Sequence, residues 1–273
     1  MSSLAIDQAE SLRRMLAPRV TRRIAVVASE RGAGATTVAL GLSHALAMQG
    51  ECVMLVDEDA AGWRATRLSG AKPGGTFAQL QAGSLTLEAA IGARADGAVA
   101  VLPAGRQQPG ASFPADKLAG FRSVLVDAAL DLNGPDSALS PLAGGAHNVV
   151  VVMRAEPASI TAAYACIKRL HHLYACRHFQ LVVNMAASEA TVQAVTRNLA
   201  RTASQYLGVE ASCAGWLPAD PLVTRGVQLG RCVVEAFPAA AATTALRRMA
   251  ACIGAWPLRT DTSPHVAPAV VPA

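Results

Sequence analysis

The sequence predicts an α/β fold in which a mostly parallel sheet carries helices on both faces. Short apolar runs rich in β-branched residues alternate with longer segments of helical periodicity along most of the chain, and this alternation is typical of parallel sheets. Hydrophobic residues make up 52% of the chain and charged residues only 16%, so the strands and helices can share a large buried core. We therefore expect a single α/β domain over residues 21–256.

Seven strands are predicted, each a short apolar run bounded by polar or glycine-containing segments: 23–29, 52–56, 98–102, 123–126, 148–153, 179–183 and 214–217. The first run, RIAVVAS, is apolar almost throughout, as expected for a parallel strand buried on both faces. Helical segments are predicted between and after the strands, at 36–50, 76–91 (in pieces), 157–175, 188–207 and 239–253. The glycine-containing stretch 60–75 is predicted as a loop.

The two ends of the chain are predicted to lie outside this domain. Residues 1–20 are predicted as a short amphipathic helix, with Leu12 and Leu16 on one face and Pro18 ending it. A helix with so few apolar partners suits docking to another protein. Residues 257–273 are rich in proline and poor in large apolar groups, so we expect a disordered tail.

Composition limits the cellular setting more than the function. The formal net charge is +5, which favours an acidic protein, anionic lipid or nucleic acid as a partner without choosing among them. The six cysteines are scattered without a CxxC pair, as in reduced cytoplasmic proteins. The N-terminal residues are polar and charged, unlike a signal peptide, and no apolar run approaches the ~18 residues of a membrane-spanning helix. We expect a cytoplasmic protein.

Polar side chains stand at or just after the ends of several predicted strands. They are Ser29, Asp57, Asp59, Asp127 and Asn184. Because the carboxyl ends of parallel strands meet at one edge of a sheet, these side chains are predicted to surround a common site. Taken singly, each aspartate is better explained as a helix cap or turn residue; it is their joint placement that favours descent from a nucleotide site.

A phosphate-binding loop is predicted between the first strand and the first long helix. The segment Ala28-Ser-Glu-Arg-Gly-Ala-Gly-Ala-Thr-Thr37 is a strand end, a glycine-rich turn and a Thr-Thr pair that opens a helix. Backbone N–H groups and the helix N-terminus would face an anion there. The candidate phosphate-binding residues are Gly32, Ala33, Gly34, Ala35, Thr36 and Thr37.

This loop resembles the deviant Walker A loop, K-G-G-x-G-K-T-T, of the MinD/ParA family of P-loop ATPases. Aligned from the Thr-Thr end, Gly32 and Gly34 match the pattern, and Thr36 stands where the family's Mg²⁺-binding hydroxyl stands. The resemblance implies a P-loop fold, ATP with Mg²⁺ as the ancestral cofactor and an ATP-dependent homodimer.

Both lysines of the family's loop are replaced in this chain. Ala35 takes the place of the lysine that neutralises the β- and γ-phosphates, and Glu30 that of the lysine that reaches across the ATP-bound dimer. By analogy with lost oxyanion donors, this removes roughly 3–4 kcal/mol of transition-state stabilisation. We expect ATP hydrolysis to be weakened or lost, unless Arg31, which replaces a glycine, supplies the charge.

Four further positions match residues that serve nucleotide chemistry in the same family. Asp59 resembles the second aspartate of D-x-D, which positions the attacking water, and Asp127 resembles the Walker B aspartate, which holds Mg²⁺ through water. The resemblance therefore implies catalytic roles for Asp59 and Asp127 and metal binding by Thr36 and Asp127. Asn184 matches the asparagine that reads the adenine edge, and Pro218 belongs to a G-x-I-P-x-D-like turn that lines the base pocket.

The N-terminal segment narrows the resemblance to one branch of this family. Its residues match the D-Q-A-x-x-L-R motif of the FlhG (FleN) family at Asp7, Gln8, Ala9, Leu12 and Arg13. In that family the motif contacts and stimulates FlhF, a GTPase related to the signal recognition particle. The stretch Glu156–Lys168 likewise resembles the family's P-E-P-T-S-I-T-D-A-Y-x-x-I-K sequence.

The resemblance implies a MinD-like regulator of flagellar number, placement and assembly. It would dock on an FlhF-type GTPase and flagellar basal-body proteins, with a weakened or lost ATP switch. Two alternatives remain open: an active atypical ATPase that uses Arg31, and the MinD-like protein of cellulose-synthesis operons, which also lacks loop lysines. DNA binding of the ParA type is not favoured, because the branch-specific motifs point elsewhere.

Membrane recruitment is not favoured by the sequence either. The final helix, 239–253, carries Leu246 and Ile253 on one face and is predicted to complete the core. Arg247 and Arg248 beside them leave open a peripheral location at the inner membrane.

Overall fold

The computed structural model describes residues 21–92, 99–105, 115–130 and 138–259. The predicted N-terminal helix and the part of the predicted tail from residue 260 onward lie outside these residues. Within them the chain forms one seven-stranded sheet in the order β3-β2-β4-β1-β5-β6-β7, and every strand pair is parallel. The predicted α/β fold with a parallel sheet is therefore confirmed.

The strands are β1 Arg22–Ala28, β2 Val53–Asp57, β3 Ala100–Pro103, β4 Ser123–Asp127, β5 Asn148–Arg154, β6 His178–Ala186 and β7 Glu210–Pro218. The helices are α1 Ala35–Ala47, α2 Arg64–Leu68, α3 Phe77–Gln81, α4 Leu87–Ile91, α5 Pro141–Gly144, α6 Pro157–Tyr174, α7 Glu189–Leu207, α8 Pro221–Gln228, α9 Val233–Ala236 and α10 Ala241–Cys252. Short 3₁₀ turns occupy Ala115–Leu118 and Ile253–Ala255.

Both faces of the sheet are covered, as the continuous apolar strands require. Along β1, Ile24 and Val26 point into a core that includes α1 and α10, while Ala25 and Val27 point into a core that includes α6 and α7. All four side chains are fully buried. The strand order places β1 in the middle of the sheet. The loop that follows β1 therefore lies at the centre of the sheet's carboxyl edge.

The first long helix packs closely on the last one because of a glycine. A Cβ atom at Gly41 in α1 would lie only 2.5 Å from Cδ1 of Leu246 in α10. Leu246 is fully buried, and Met249 and Ala250 beside it are nearly so. The final helix therefore completes the core, as predicted. In the described ranges, no helix has both the length and the apolarity needed to cross a bilayer.

The structure corrects the prediction that 60–75 is a loop, because α2 lies within it. The cause is a long-range contact: the buried carboxylate of Asp57 accepts hydrogen bonds from the Thr66 amide (2.8 Å) and hydroxyl (2.7 Å). Short helices α5, α8 and α9 were not predicted, and β7 begins four residues earlier than expected, at 210 rather than 214.

The chain also stays packed on the domain beyond residue 256. The Arg259 guanidinium donates to the carbonyl oxygens of Gly144 (3.0 Å) and Tyr174 (2.6 Å). The backbone amide of Arg259 donates to the carbonyl oxygen of His147 (3.1 Å). The first residues of the predicted tail therefore belong to the packed structure.

Candidate functional site

The predicted phosphate loop lies between β1 and α1 at the carboxyl edge of the sheet. The Ser29 amide donates to the Val152 carbonyl of β5 (2.9 Å), and the Ala33 amide closes a turn on the Glu30 carbonyl (3.2 Å). Gly32 and Gly34 have φ values of 86° and 97°, which side chains other than glycine rarely adopt. The glycines therefore give the loop its shape.

Asn184 supports this loop from the neighbouring strand end. Its amide nitrogen donates to the Ala33 carbonyl (2.9 Å), and its oxygen accepts from the Met185 amide (3.0 Å). A Cβ atom at Gly34 would lie 2.1 Å from the Asn184 amide nitrogen, so only glycine allows this approach. The group assigned to adenine by resemblance is bonded to the loop, and reading a base would require exchanging that bond.

No lysine or arginine stands at the two positions where the family has lysines. Ala35 is 8% exposed and packs into the core at the start of α1, and Glu30 is half-buried. Arg31 is exposed, and its guanidinium forms no hydrogen bond or ion pair with the residues that the structure describes. Thr37 is half-buried. The loop therefore presents backbone groups to an anion, with Arg31 as the cation in its sequence.

Asp127 ends β4 beside the loop and is almost fully buried. The Thr36 hydroxyl lies near enough to this carboxylate to lower its pKa, while Oδ2 has no hydrogen-bond partner among the described residues. Burial raises the pKa of Asp127 to about 7, with smaller contributions from the charges of Asp57, Glu58 and Asp59, against the lowering effect of Thr36. The structure thus brings together the two predicted metal-binding residues.

A magnesium ion fits these groups in kind. An unpartnered carboxylate oxygen and a nearby hydroxyl are hard oxygen donors, which Mg²⁺ prefers. The described residues contain no group of three or more His, Cys, Asp or Glu side chains able to hold a metal. Mg²⁺ at Thr36 and Asp127 would therefore need phosphate oxygens and water to complete its coordination, as is usual for this ion.

The aspartates after β2 hold local structure. Asp57, besides anchoring α2, accepts the Asp59 amide on its other oxygen (3.1 Å). Asp59 is half-buried, its carboxylate accepts the Ala61 amide (3.2 Å) and its carbonyl accepts the Trp63 amide (2.8 Å). The turn interpretation of Asp59 is what the contacts support, and its role in positioning water stays a prediction.

Glu58, between these aspartates, is a residue that sequence reasoning missed. Its side chain is buried, with one oxygen accepting the Ser140 hydroxyl at the start of α5 and the other accepting the Ala129 amide (3.2 Å) just after β4. Its own amide donates to the Asp127 carbonyl (3.3 Å). Glu58 therefore clamps the segment after β2 to the segments around Asp127.

Two further contacts tie neighbouring elements to the loop. The buried hydroxyl of Ser159, in the first turn of α6, accepts the Arg154 amide (2.8 Å) and lies 3.3 Å from the Ser29 hydroxyl. Arg154 ends β5 in register with Asn184, and its Nε atom is buried without a partner in the described residues. The Ser29–Ser159 contact and the alignment of Arg154 with Asn184 join residues far apart in the sequence, so they could not be predicted from it.

The predicted base-pocket turn lies on the same edge. Pro218 ends β7 opposite Ala186 of β6. Asp220 caps α8 by accepting the Leu222 amide (2.9 Å) and also accepts the Ala242 amide at the start of α10 (3.0 Å). The turn thus fixes two helices. The predicted partner-binding residues Asp7, Gln8, Ala9, Leu12 and Arg13 lie outside the described residues.

The Glu58 clamp can be tested by local hydrogen exchange. Replacing Glu58 with alanine leaves the Ala129 amide and Ser140 hydroxyl without their acceptor, and an unsatisfied buried group costs about 1–3 kcal/mol. We expect amide exchange at Ala129 and Ala143 to accelerate by about tenfold, measured by NMR. Replacing the exposed Glu88 with alanine is the control. Unchanged exchange in the Glu58 variant would show that the clamp is not needed.

The raised pKa of Asp127 predicts a pH dependence of stability. The folded protein keeps a proton on Asp127 up to about pH 7, whereas the group's ordinary pKa is 3.8. The contribution of Asp127 to the free energy of unfolding is therefore fully present below the pKa of the unfolded chain, and it is lost as the pH rises through about 7. In magnesium-free buffer the wild-type free energy of unfolding should fall between pH 4 and 8, by up to roughly 4 kcal/mol from this residue.

Denaturation of Asp127→Asn beside wild type isolates that contribution. The asparagine variant should lack this part of the fall, so the two stability curves should converge at low pH and separate towards pH 8. Parallel curves across the whole range would contradict a raised pKa at Asp127.

Comparison with known proteins places this geometry in a family. No family model matches the chain. The antiactivator FleN of Pseudomonas aeruginosa PAO1 is 31% identical over 255 residues, covering 89% of this chain and 90% of FleN.

Solved structures agree on the fold. MinD in the MinC:MinD cell division complex of Aquifex aeolicus superposes with a TM-score of 0.65 at 21% identity, covering 88% of this chain and 98% of that one. The cell division ATPase MinD of Pyrococcus furiosus gives 0.63 at 21% identity, with coverages of 86% and 98%. MinD of Pyrococcus horikoshii OT3, solved with Mg-ADP, gives 0.62 at 20%, with coverages of 84% and 94%. The chain thus belongs to the FleN (FlhG) family and has the P-loop fold of the MinD/ParA ATPases.

Proposed function

We propose that this chain is a FleN-type regulator of flagellar number, placement and assembly that works by docking to other proteins. Its partners would be an FlhF-type GTPase, contacted through Asp7–Arg13, and flagellar basal-body proteins. The observation that carries the proposal is the 31% identity to an antiactivator FleN over 89% of the chain. The same similarity favours this role over the cellulose-synthesis alternative.

We propose further that the ATP switch of the family is weakened or lost in this chain. The carboxylates of Asp57, Glu58 and Asp59 lie near Asp127, while Ala35 brings no positive charge. A triphosphate entering the site would meet negative charge with little to offset it beyond Mg²⁺ and Arg31. Mg²⁺, the second component of the family's cofactor, would be held by Thr36 and Asp127.

The same charges oppose a nucleotide-bridged homodimer. In the family, a loop lysine reaches across the dimer to the partner's nucleotide, and Glu30 would bring a carboxylate to that place. Like charges at such an interface are repulsive and disfavour association. The ATP-dependent dimer implied by the resemblance would therefore be weak or absent, and the protein would act in the cytoplasm, reaching the inner membrane only with its partners.

An atypical ATPase that uses Arg31 is the second candidate. The observation in its favour is that the Arg31 guanidinium is exposed and makes no ion pair or hydrogen bond within the described residues, so it is available to a ligand. Mg²⁺-dependent turnover that is lost on Thr36→Ala would support this candidate.

GTPase stimulation tests the docking proposal. Purified full-length chain added to an FlhF-type GTPase should raise GTP hydrolysis several-fold without any ATP present. We expect Leu12→Ala/Arg13→Ala to lose the effect, because the docking contacts are removed. Ser11→Ala/Arg14→Ala, at a variable position of the motif and at the position after it, should keep the effect.

The same assay separates the two candidates. Stimulation that appears only with ATP, and that Thr36→Ala abolishes, would show a working nucleotide switch. No stimulation by wild type under either condition would overturn docking through the N-terminal segment.

A further inference from the structure

A groove runs between α2 and α8 on the outside of the domain. It encloses about 470 Å³ and is lined by Arg64, Arg67, Leu68, Val227 and Gly230. Leu68 is buried and forms an apolar lining of the groove, whereas the two arginines are exposed. The groove is thus concave, with an apolar base and a basic wall.

Val227 is the α8 side chain that lines the groove, and it is 37% exposed. Leu222 (38%) and Leu229 (50%, just past the helix) are exposed on the same element but outside the lining. Within α8 only Gly226 is buried. Exposed apolar residues next to charged ones are typical of interaction surfaces when they are contiguous. Leu68 and Val227 therefore give the groove an apolar surface beside its arginines.

Positive charge around the groove is not neutralised by the described residues. Arg64 and Arg67 form no ion pair or hydrogen bond with them, and Arg225 of α8 bonds only to the neutral Gln228 (3.2 Å). Arg231 is the exception, since it pairs with Glu235 (2.7 Å). The two arginines that line the groove, Arg64 and Arg67, therefore have no acidic partner among the described residues and can meet acidic groups of another protein.

Both walls of the groove are anchored to the candidate nucleotide site. The carboxylate of Asp57 holds Thr66 within α2, and Asp220, next to the base-pocket turn, caps α8. A ligand that bridges α2 and α8 would contact elements fixed by the two ends of that site.

We propose that the α2–α8 groove docks an acidic amphipathic helix of a partner protein. Leucine-type side chains of that helix would contact Leu68 and Val227, and its carboxylates would pair with Arg64 and Arg67. A bilayer is flat and does not fill a concave groove. A second copy of this chain would bring an equally basic groove, which repels its own kind. The site is separate from the N-terminal docking segment and does not depend on that segment's role.

Synthetic peptides provide the probe. The test peptide is an 18-residue helix former with leucine at i, i+4, i+7 and i+11 and glutamate flanking them. The control peptide has the same sequence with glutamine in place of every glutamate. Fluorescence anisotropy with the full-length chain should show binding of the glutamate peptide, at least fivefold weaker binding of the glutamine peptide, and weakening by added salt.

Two groove variants and one control locate the binding. Arg64→Glu/Arg67→Glu should weaken binding of the glutamate peptide by at least tenfold, and Val227→Ser by several-fold. Arg197→Glu/Arg201→Glu changes two exposed arginines with the same charge reversal on α7 and should leave binding unchanged. Val227→Ser keeps the test valid if the double reversal unfolds the chain, which circular dichroism would reveal.

Three results would overturn the proposal. These are no binding of the glutamate peptide to wild type, equal weakening by the α7 control, or unchanged affinity in both groove variants. Vesicles containing phosphatidylglycerol, run in parallel, would replace the peptide as occupant if they alone bind wild type and lose binding in Arg64→Glu/Arg67→Glu.

Discussion

The arrangement of the site depends on the contact between the Asn184 side chain and the phosphate loop. The backbone groups of a tight turn need partners, and leaving a buried one unpaired costs about 1–3 kcal/mol. The Asn184 amide satisfies the Ala33 carbonyl at 2.9 Å, and glycine at position 34 leaves room for it. A side chain at the end of β6 thus supports the loop.

The carboxylates around that loop are each accommodated by a different physical means. Asp57 accepts the hydrogen bonds that anchor α2, Glu58 accepts those of Ser140 and Ala129, and Asp127 has a raised pKa, so that a proton replaces part of its charge. Side-chain contacts therefore hold the segments that flank the site.

The sequence predicted the sheet well because its strands are continuous apolar runs, and β1 is buried on both faces as RIAVVAS suggested. It also brought Thr36, Asp127 and Asn184 to one edge.

The role of Glu58 was not predicted, because its partners Ala129 and Ser140 lie 71 and 82 positions away in the sequence. Helix α2 was not predicted either, because it is anchored by a tertiary contact with Asp57. Helix α8 could have been predicted, because Asp220 is a typical N-cap residue and Pro221 after it suits the first turn of a helix.

Isothermal titration with Mg²⁺-ATP tests most directly whether the loop has kept its shape but lost its charge. Wild type, Ala35→Lys and Ala35→Met are compared, the methionine matching the added length without the charge. We expect no measurable heat for wild type and Ala35→Met at micromolar nucleotide, and binding by Ala35→Lys at least about a hundredfold tighter, since 1.4 kcal/mol is a factor of ten. Micromolar binding by wild type that is lost on Arg31→Ala would contradict it and show that the nucleotide switch survives.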